Sequence, residues 1–231
     1  MLLQDKTLLR LHVEAVWGVT LTHIEQDHIM LTPESVSPSW KLCVAALANS
    51  HVFIWRPDVS EHEREALRVQ ARAALAFPST SPPHTPGVHR EVALSLTAAP
   101  RINEAIAHTL ARPLTHKDEQ QVKTFQASIA DTDNYFDSAK RPLTGVFENA
   151  RLVCIAHSSR RTREACELGV DTLPDARRKG YALAATHAWT ESVLRESLVP
   201  LYSAFAENNA SLRLADAAGY RVFAQVVTIT L

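Results

Sequence analysis

The sequence predicts a protein of the α/β class, and three observations lead to this prediction. In the C-terminal half, segments with period-two apolar residues alternate with segments whose apolar residues recur at helical spacing, in the order β-β-β-α-β-α-β. Prolines concentrate in FPSTSPPHTPGV, at about 77–88, which is typical of a linker between two domains. The composition, with 46% hydrophobic and 21% charged residues among 231, is that of an ordinary globular protein. We therefore predict a smaller α+β domain over residues 1–100 and a second domain over residues 101–231.

The N-terminal elements are predicted from apolar periodicity and from turn residues. Residues 7–17 fit either an amphipathic helix or an extended apolar segment, and both alternatives stay open. Ser60 and Glu63 have the spacing of a capping box, which predicts a helix from Ser60 to about Leu75. The remaining predictions are strands at 28–31, 52–55 and 89–96 and a helix at 40–48.

The C-terminal elements begin with two helices, predicted over 101–111 and 118–130. Strands at 143–148 and 152–157 are predicted to form a hairpin around Asn149-Ala150, and a second turn at 158–161 leads into a central strand that ends near Thr172. The predicted elements that follow are a helix from about 180 to 196, a strand at 200–205, a helix at 209–218 and a strand at 220–231.

The loop after the central strand carries the clearest chemical signal. A turn at Pro174 is followed by three cationic residues and a glycine at the start of the next helix, namely Arg177, Arg178, Lys179 and Gly180. The first amide groups of a helix have no partner within it, and the helix dipole places partial positive charge there, so such an end attracts phosphate. Gly180 lets the backbone come close to a ligand. The pattern indicates an anion site, with a solvated basic turn as the alternative.

The segment from Arg177 to Ala182 resembles the (Gln/Arg)-x-x-Gly-x-(Gly/Ala) signature of the GNAT acetyltransferases. A second segment, from Asn208 through Gly219-Tyr220, is similar to the family's Asn-led helix that ends in glycine followed by an aromatic residue. The two segments occur in the family's order, and the resemblance covers about residues 118–231. It implies a mixed central sheet flanked by helices.

The resemblance also implies that acetyl-CoA is the co-substrate and that a primary amine, on a small molecule or a protein, is the acceptor. The pantetheine arm would form hydrogen bonds with the backbone of the central strand, and the pyrophosphate would lie against the amides of the loop. The implied contacts on the strand are Leu168, Gly169 and Val170, and those on the loop are Arg177, Arg178, Lys179, Gly180, Tyr181 and Ala182. Asn208 and Ser211 of the second segment are further implied contacts, with helix capping as the alternative role of Asn208.

Direct attack by an amine on the thioester needs a proton acceptor and a means of stabilising the leaving thiolate. The candidate bases are two acidic residues near the central strand and a histidine of the preceding strand, namely Glu164, Glu167 and His157. Many GNAT enzymes carry a tyrosine at the position that matches Ala215, where it can protonate the thiolate, and alanine cannot do so. Tyr202, Ser203 or water would then serve, or the thiolate would leave unaided.

Composition and motifs argue against several classes of function. The net charge of −1 provides no field that would attract nucleic acid or an anionic membrane, and no apolar run reaches membrane-spanning length. There is no HExxH motif and no paired Cys-x-x-Cys, so no metal is expected. Cys43, Cys154 and Cys166 are odd in number and scattered, and no secretory signal is recognised, so we expect a cytoplasmic protein. A homodimer is one alternative for its assembly.

Two further functions stay open beside acetyl transfer. The chain could be a CoA-binding regulatory module without turnover, because Ala215 replaces the expected tyrosine and the base is unassigned. It could also be an interaction protein in which the N-terminal part recognises a partner. Residues 1–100 contain no motif that decides between these functions.

Overall fold

The computed structural model describes residues 3–21, 23–32, 37–76 and 85–230. The chain forms two compact units. The first comprises Met1–Ser95, Tyr202–Leu212 and Arg221–Leu231, and the second comprises Leu96–Leu201 and Arg213–Tyr220. The first unit thus takes segments from both ends of the sequence, and a domain boundary near residue 100 stays a prediction. Residues 77–84 of the predicted linker lie outside the described residues.

The chain contains both helices and strands along its whole described length. Up to Leu96 they are α1 (Asp5–Trp17), β1 (His28–Met30), β2 (Leu42–Ala46), β3 (His51–Trp55), α2 (Glu61–Ala76) and β4 (Val88–Leu96). From Glu104 they are α3 (Glu104–Leu110), β5 (Ala111–Pro113), α4 (Glu119–Ile129), β6 (Leu143–Glu148), β7 (Arg151–Arg161), β8 (Ala165–Thr172), α5 (Tyr181–Arg195), β9 (Val199–Phe205), α6 (Asn209–Ala217) and β10 (Tyr220–Ile229). The predicted order β-β-β-α-β-α-β corresponds to β6 through β10 and is confirmed, as is the α/β class.

The strands of the first unit follow the order β1-β3-β2-β10-β4. β1 is parallel to β3, whereas β2 is antiparallel to both β3 and β10. Along β2, Cys43 and Ala45 belong to the core cluster that includes α1, while Leu42 and Val44 belong to the cluster that includes α2. Because neighbouring strand residues point to opposite faces, this sheet is covered by a helix on each face.

The predicted helix at 40–48 is wrong, because this segment contains the strand β2. Residues 42–45 are all buried, as expected of a strand that is covered on both faces. Periodicity cannot distinguish such a short apolar run from a buried helix, and pairing with β3 and β10 decides the structure. The two alternatives at 7–17 are resolved in favour of a helix, α1.

The strands of the second unit follow the order β9-β8-β7-β6-β5. Pairs β5/β6, β6/β7 and β7/β8 are antiparallel, and β8 is parallel to β9 through pairs from Ala165–Val199 to Glu167–Leu201. The hairpin predicted at Asn149-Ala150 is confirmed. Both residues have positive φ, 50° and 63°, as a tight hairpin turn requires.

The turn predicted at 158–161 is wrong, since β7 continues to Arg161 with an irregularity between Ser158 and Arg160. The chain reverses after this strand instead. The Thr162 hydroxyl accepts hydrogen bonds from the amides of Glu164 and Ala165, at 3.2 and 3.0 Å. The short strand β5 was not predicted.

Buried hydrogen bonds attach α5 to β6 and β7. The Trp189 indole N–H donates to the Ser158 hydroxyl at 3.3 Å, and that hydroxyl donates to the Arg141 carbonyl at 2.7 Å. The Thr144 hydroxyl donates to the Ala185 carbonyl at 3.0 Å. Because these bonds lie beneath the helix, they fix its rotation and therefore the direction in which its first turn faces.

The substitution Ser158→Ala should lower the free energy of unfolding by about 1–3 kcal/mol, because it leaves the buried Trp189 N–H without an acceptor. Urea denaturation measures the change. Ser128→Ala on the exposed face of α4 is the control and should change stability by less than about 0.5 kcal/mol. An equal effect of the two substitutions would contradict the anchoring role of Ser158.

Candidate functional site

The loop from β8 to α5 has a backbone that exposes the beginning of the helix. Arg178 and Gly180 both have left-handed φ, 63° and 82°. No side chain caps the helix at Gly180, and the amide of Ala184 donates to the Gly180 carbonyl at 3.1 Å. The amides of residues 181–183 therefore precede the first bond within the helix and are available to a ligand. A Cβ placed at Gly180 would meet nothing within 4 Å, so the space in front of it is open.

The three predicted cationic residues of this loop are in different situations. Lys179 Nζ donates to both carboxylate oxygens of Glu148, at 2.8 and 3.1 Å, and this bond raises the pKa of Lys179. Arg177 Nε donates to the Thr172 carbonyl at 3.3 Å. Arg178 is exposed and has no hydrogen bond or ion pair with any other described residue. Arg178 is thus the cation of the loop that is ready to meet an anion.

Tyr181 also contacts Glu148, because its hydroxyl donates to Oε1 of that carboxylate at 2.7 Å. The hydrogen bond from Lys179 lowers the pKa of Glu148 below its usual value, and the hydrogen bond from Tyr181 lowers it further. The two donors lie on either side of Gly180 in the sequence, so Glu148 secures the loop from both sides.

The strand β8 changes character along its length. Residues 165–168 are buried, whereas Gly169, Val170, Asp171 and Thr172 are half-buried. The half-buried part contains two of the three predicted strand contacts, and Leu168 is the last of the buried residues. The backbone from Leu168 onward pairs with β7, from Ser158–Leu168 to Cys154–Thr172.

A buried histidine lies against the middle of β8. A Cβ at Gly169 would come within 2.5 Å of Nε2 of His157, so the imidazole occupies the space that a side chain would need. The edge of the Tyr135 ring faces the same imidazole, with ring centroids 4.7 Å apart. His157, which was predicted as a candidate base, is buried.

Burial and nearby charge shift several pKa values in this cluster. Burial, together with the charge of Lys140, lowers the pKa of His157 to about 4, so the imidazole is neutral at neutral pH. Burial raises the pKa of Asp171, and the negative charge of Asp131 raises it further. Burial and a hydrogen bond with Asp131 raise the pKa of Tyr135. Sequence reasoning missed Tyr135, Asp131 and Asp171, because no motif joins them.

The two predicted acidic bases lie at different depths. Glu164 is exposed just before β8, whereas Glu167 is buried, 5% exposed, in the part of β8 that pairs with both β7 and β9. By the alternation of the strand, Glu167 lies on the same face as Gly169 and Asp171. Glu167 therefore does not lie at a solvated strand edge.

A family model described as GNAT acetyltransferase matches residues 100–226. The chain belongs to the GNAT acetyltransferase family.

Solved structures of GNAT proteins are similar to the chain at low sequence identity. An acetyltransferase of the GNAT family from Colwellia psychrerythraea has a TM-score of 0.52 and 13% identity, over 77% of this chain and 75% of its own. A GNAT-family protein from Novosphingobium aromaticivorans has a TM-score of 0.49 and 20% identity, over 64% and 68%. An aminoglycoside N-acetyltransferase in complex with CoA has a TM-score of 0.41 and 15% identity, over 49% and 92%. No curated protein matches the chain significantly.

The remaining predicted residues of this GNAT chain lie in its first unit. The Tyr202 hydroxyl lies 2.8 Å from the Ser211 hydroxyl and donates to the Ser211 carbonyl at 3.2 Å. Tyr202 is buried, and burial raises its pKa. Asn208 caps α6, with its Oδ1 accepting from the Ser211 amide at 3.1 Å, so its predicted capping role is confirmed. The contacts that Asn208 and Ser211 would make with the coenzyme stay predictions.

Two negative expectations concern the membrane and the cysteines. Across the described ranges, none of the helices combines the length and the apolar character that a membrane crossing requires. Cys43, Cys154 and Cys166 are all buried free thiols. Burial raises the pKa of Cys43 and that of Cys154, the latter to about 12, so these thiols are protonated.

The low pKa of His157 predicts a specific acid sensitivity. The unfolded chain binds a proton on this histidine near 6.5 and the folded chain only near 4, so the free energy of unfolding falls as the pH decreases through this window. Between about pH 7 and about pH 4 the loss from His157 should be about 3 kcal/mol, and His157→Gln should remove it. Urea denaturation across this pH range provides the comparison. Identical pH slopes for the two proteins would refute the assignment.

Proposed function

We propose that this GNAT protein transfers an acetyl group from acetyl-CoA to a primary amine of a small molecule or protein, by direct attack of the amine on the thioester. The family and the fold support acetyl transfer in general. The observation that carries the proposal for this chain is the exposed start of α5 behind Gly180, with the unpaired Arg178 next to it.

The pyrophosphate of the coenzyme would be bound by the amides of residues 181–183. These amides point along the positive end of the α5 dipole, and backbone N–H groups at a helix start suit phosphate oxygens. Arg178 would add a cationic partner without breaking an existing bond. Lys179 would have to exchange Glu148 for phosphate, which is a small cost because this ion pair is exposed.

The acetyl-pantetheine arm would lie along the half-buried part of β8. Leu168, Gly169 and Val170 would provide backbone groups for its amides and for the thioester carbonyl, as the family resemblance implies. The absence of a side chain at Gly169 serves the packing of His157, so this residue supports the strand from behind.

Glu167 is our proposed proton acceptor, with Glu164 as the alternative. Glu167 is a buried carboxylate on the strand that would bind the thioester. Glu167 lies two residues before Gly169 on this strand, whereas Glu164 is exposed and precedes the strand. His157 suits this task less, since a group with a pKa of about 4 holds a proton poorly at neutral pH.

The second candidate function is a CoA-binding regulatory module, and Ala215 is the observation that favours it. This residue is buried, 0% exposed, at the position where many GNAT enzymes carry the tyrosine that protonates the thiolate. Tyr202 could replace that tyrosine if its hydroxyl exchanged Ser211 for the leaving sulfur. Ser203, which is half-buried, and water are the other donors.

Two measurements test the proposal and separate the two functions. Isothermal titration with acetyl-CoA should give saturable binding, and its absence would overturn both. Thiol release, followed with a panel of small amines and peptides, should show turnover with at least one acceptor. Tight binding without turnover on any acceptor would favour the regulatory module. The localisation in the cytoplasm and a homodimeric assembly stay proposals that fractionation and light scattering address.

Arg178→Glu should weaken acetyl-CoA binding by at least about 10-fold, because it replaces the unpaired cation at the phosphate site with an anion. Arg72→Glu on the exposed face of α2 makes the same change of charge and should leave the affinity within about twofold. Titration calorimetry at two salt concentrations measures both. Equal losses in the two variants would indicate a general charge effect and exclude the loop as the phosphate site.

Glu167→Gln should reduce kcat by about 100-fold or more, because glutamine cannot accept the proton. Acetyl-CoA affinity should change little, because glutamine has nearly the same shape as glutamate. Glu164→Gln is the matched change on an exposed residue and should leave kcat nearly unaltered. The acid limb of the kcat–pH profile should vanish in Glu167→Gln. If Glu164→Gln causes the larger loss instead, Glu164 is the base.

A further inference from the structure

A second polar cluster lies on the face between α3 and α5, within the second unit. His187 and Glu191 are four residues apart on α5, so their side chains project from the same side of the helix. His108 reaches them from the last turn of α3. Its ring stacks on that of His187 with centroids 5.9 Å apart and an angle of 20°. Two imidazoles and a carboxylate therefore converge at one point.

The distances in this cluster suit a small cation. Nε2 of His108 lies 2.7 Å from Oε2 of Glu191, and Nε2 of His187 lies 3.5 Å from Oε1. One ligand atom from each residue lies within 4.8 Å of the other two. Neighbouring ligands of a tetrahedral zinc ion are about 3.3 Å apart, as bond lengths of about 2.0–2.1 Å dictate.

His187 provides an independent reason to expect a ligand. Its Nε2 is buried and makes no hydrogen bond to any described residue, and its side chain is 12% exposed. A buried nitrogen without a hydrogen bond is unfavourable, and a bound metal ion would satisfy it. His108 is 46% exposed, so an ion could enter from solvent on that side.

One neighbouring charge opposes a cation at this position. Nη2 of Arg195 lies 3.2 Å from Oε2 of Glu191. The Arg195 side chain is 66% exposed, so this pair is weak and the guanidinium can move into solvent when an ion binds. Because the Arg195 guanidinium would repel a cation, replacing Arg195 with a neutral residue should strengthen the binding of a metal ion.

We propose that His108, His187 and Glu191 bind a divalent transition-metal ion, with zinc preferred, at a site separate from the coenzyme loop. Imidazole nitrogens favour zinc and its neighbours over magnesium or calcium, which take oxygen ligands. Three protein ligands leave a fourth position for water. The ion joins α3 to α5 and stabilises the folded chain. This proposal departs from the expectation, based on motifs, that the protein has no metal site.

Titration of zinc into chelator-treated, tag-free protein tests the proposal. We expect one saturable site with micromolar affinity and a rise in the melting temperature of about 5 °C at a hundredfold excess over Kd. His108→Gln and Glu191→Gln should each weaken binding by at least about 10-fold, since each removes one of three ligands. Arg195→Ala should tighten it severalfold. His62→Gln on α2, the matched change of a histidine, should have no effect.

Cobalt substitution provides a readout that does not depend on stability. The cobalt complex should show the visible absorption of a tetrahedral site, and this absorption should be lost in His108→Gln. His108 is exposed, so this variant should fold normally, as its circular dichroism in chelator will verify. No saturable binding, or equal binding by wild type and His108→Gln, would overturn the proposal and leave the cluster as a clamp made only of hydrogen bonds.

Discussion

The amides at the start of α5 cannot be paired within that helix, and the second unit is arranged around this constraint. The chain approaches the helix through two residues with left-handed φ, Arg178 and Gly180. Glycine adopts this conformation readily, whereas for arginine it is unfavourable by about 1 kcal/mol. Glu148 compensates, because it binds Lys179 and Tyr181 on both sides of Gly180. The loop therefore has its shape without a ligand.

The rest of α5 shows how one helix serves several purposes. The face with Trp189 and Thr186 is buried and is attached to the sheet through Ser158. The face with His187 and Glu191 meets α3. Because the helix is rigid, its anchoring by Trp189 also determines where its first turn and its polar face lie. The phosphate site and the metal site we propose thus depend on the same buried hydrogen bonds.

The candidate site also depends on groups that lie far apart in the sequence. Gly169 is required because the His157 ring fills the space beside it. That ring is buried by Tyr135, which precedes it by more than twenty residues in the sequence. Burial raises the pKa of Tyr135, and both Asp131 and Asp171 raise it further. None of these relations has a signature in local sequence, since each results from which strand faces which loop.

Local features of the chain followed from the sequence alone. These are the hairpin at Asn149-Ala150, the cap at Asn208, the order of strands and helices from β6 to β10, and the loop from Arg177 to Ala182, since each is set by backbone conformation or by hydrogen bonds between near neighbours. Which side chains are buried, and which strands and charges pair with one another, was decided only by the tertiary structure. β2 is a strand because two other strands pair with it, Glu167 is buried because β7 and β9 flank it, and Lys179 is engaged because the distant Glu148 lies beside it. Such contacts join residues far apart along the chain, and only the folded sheet brings them together.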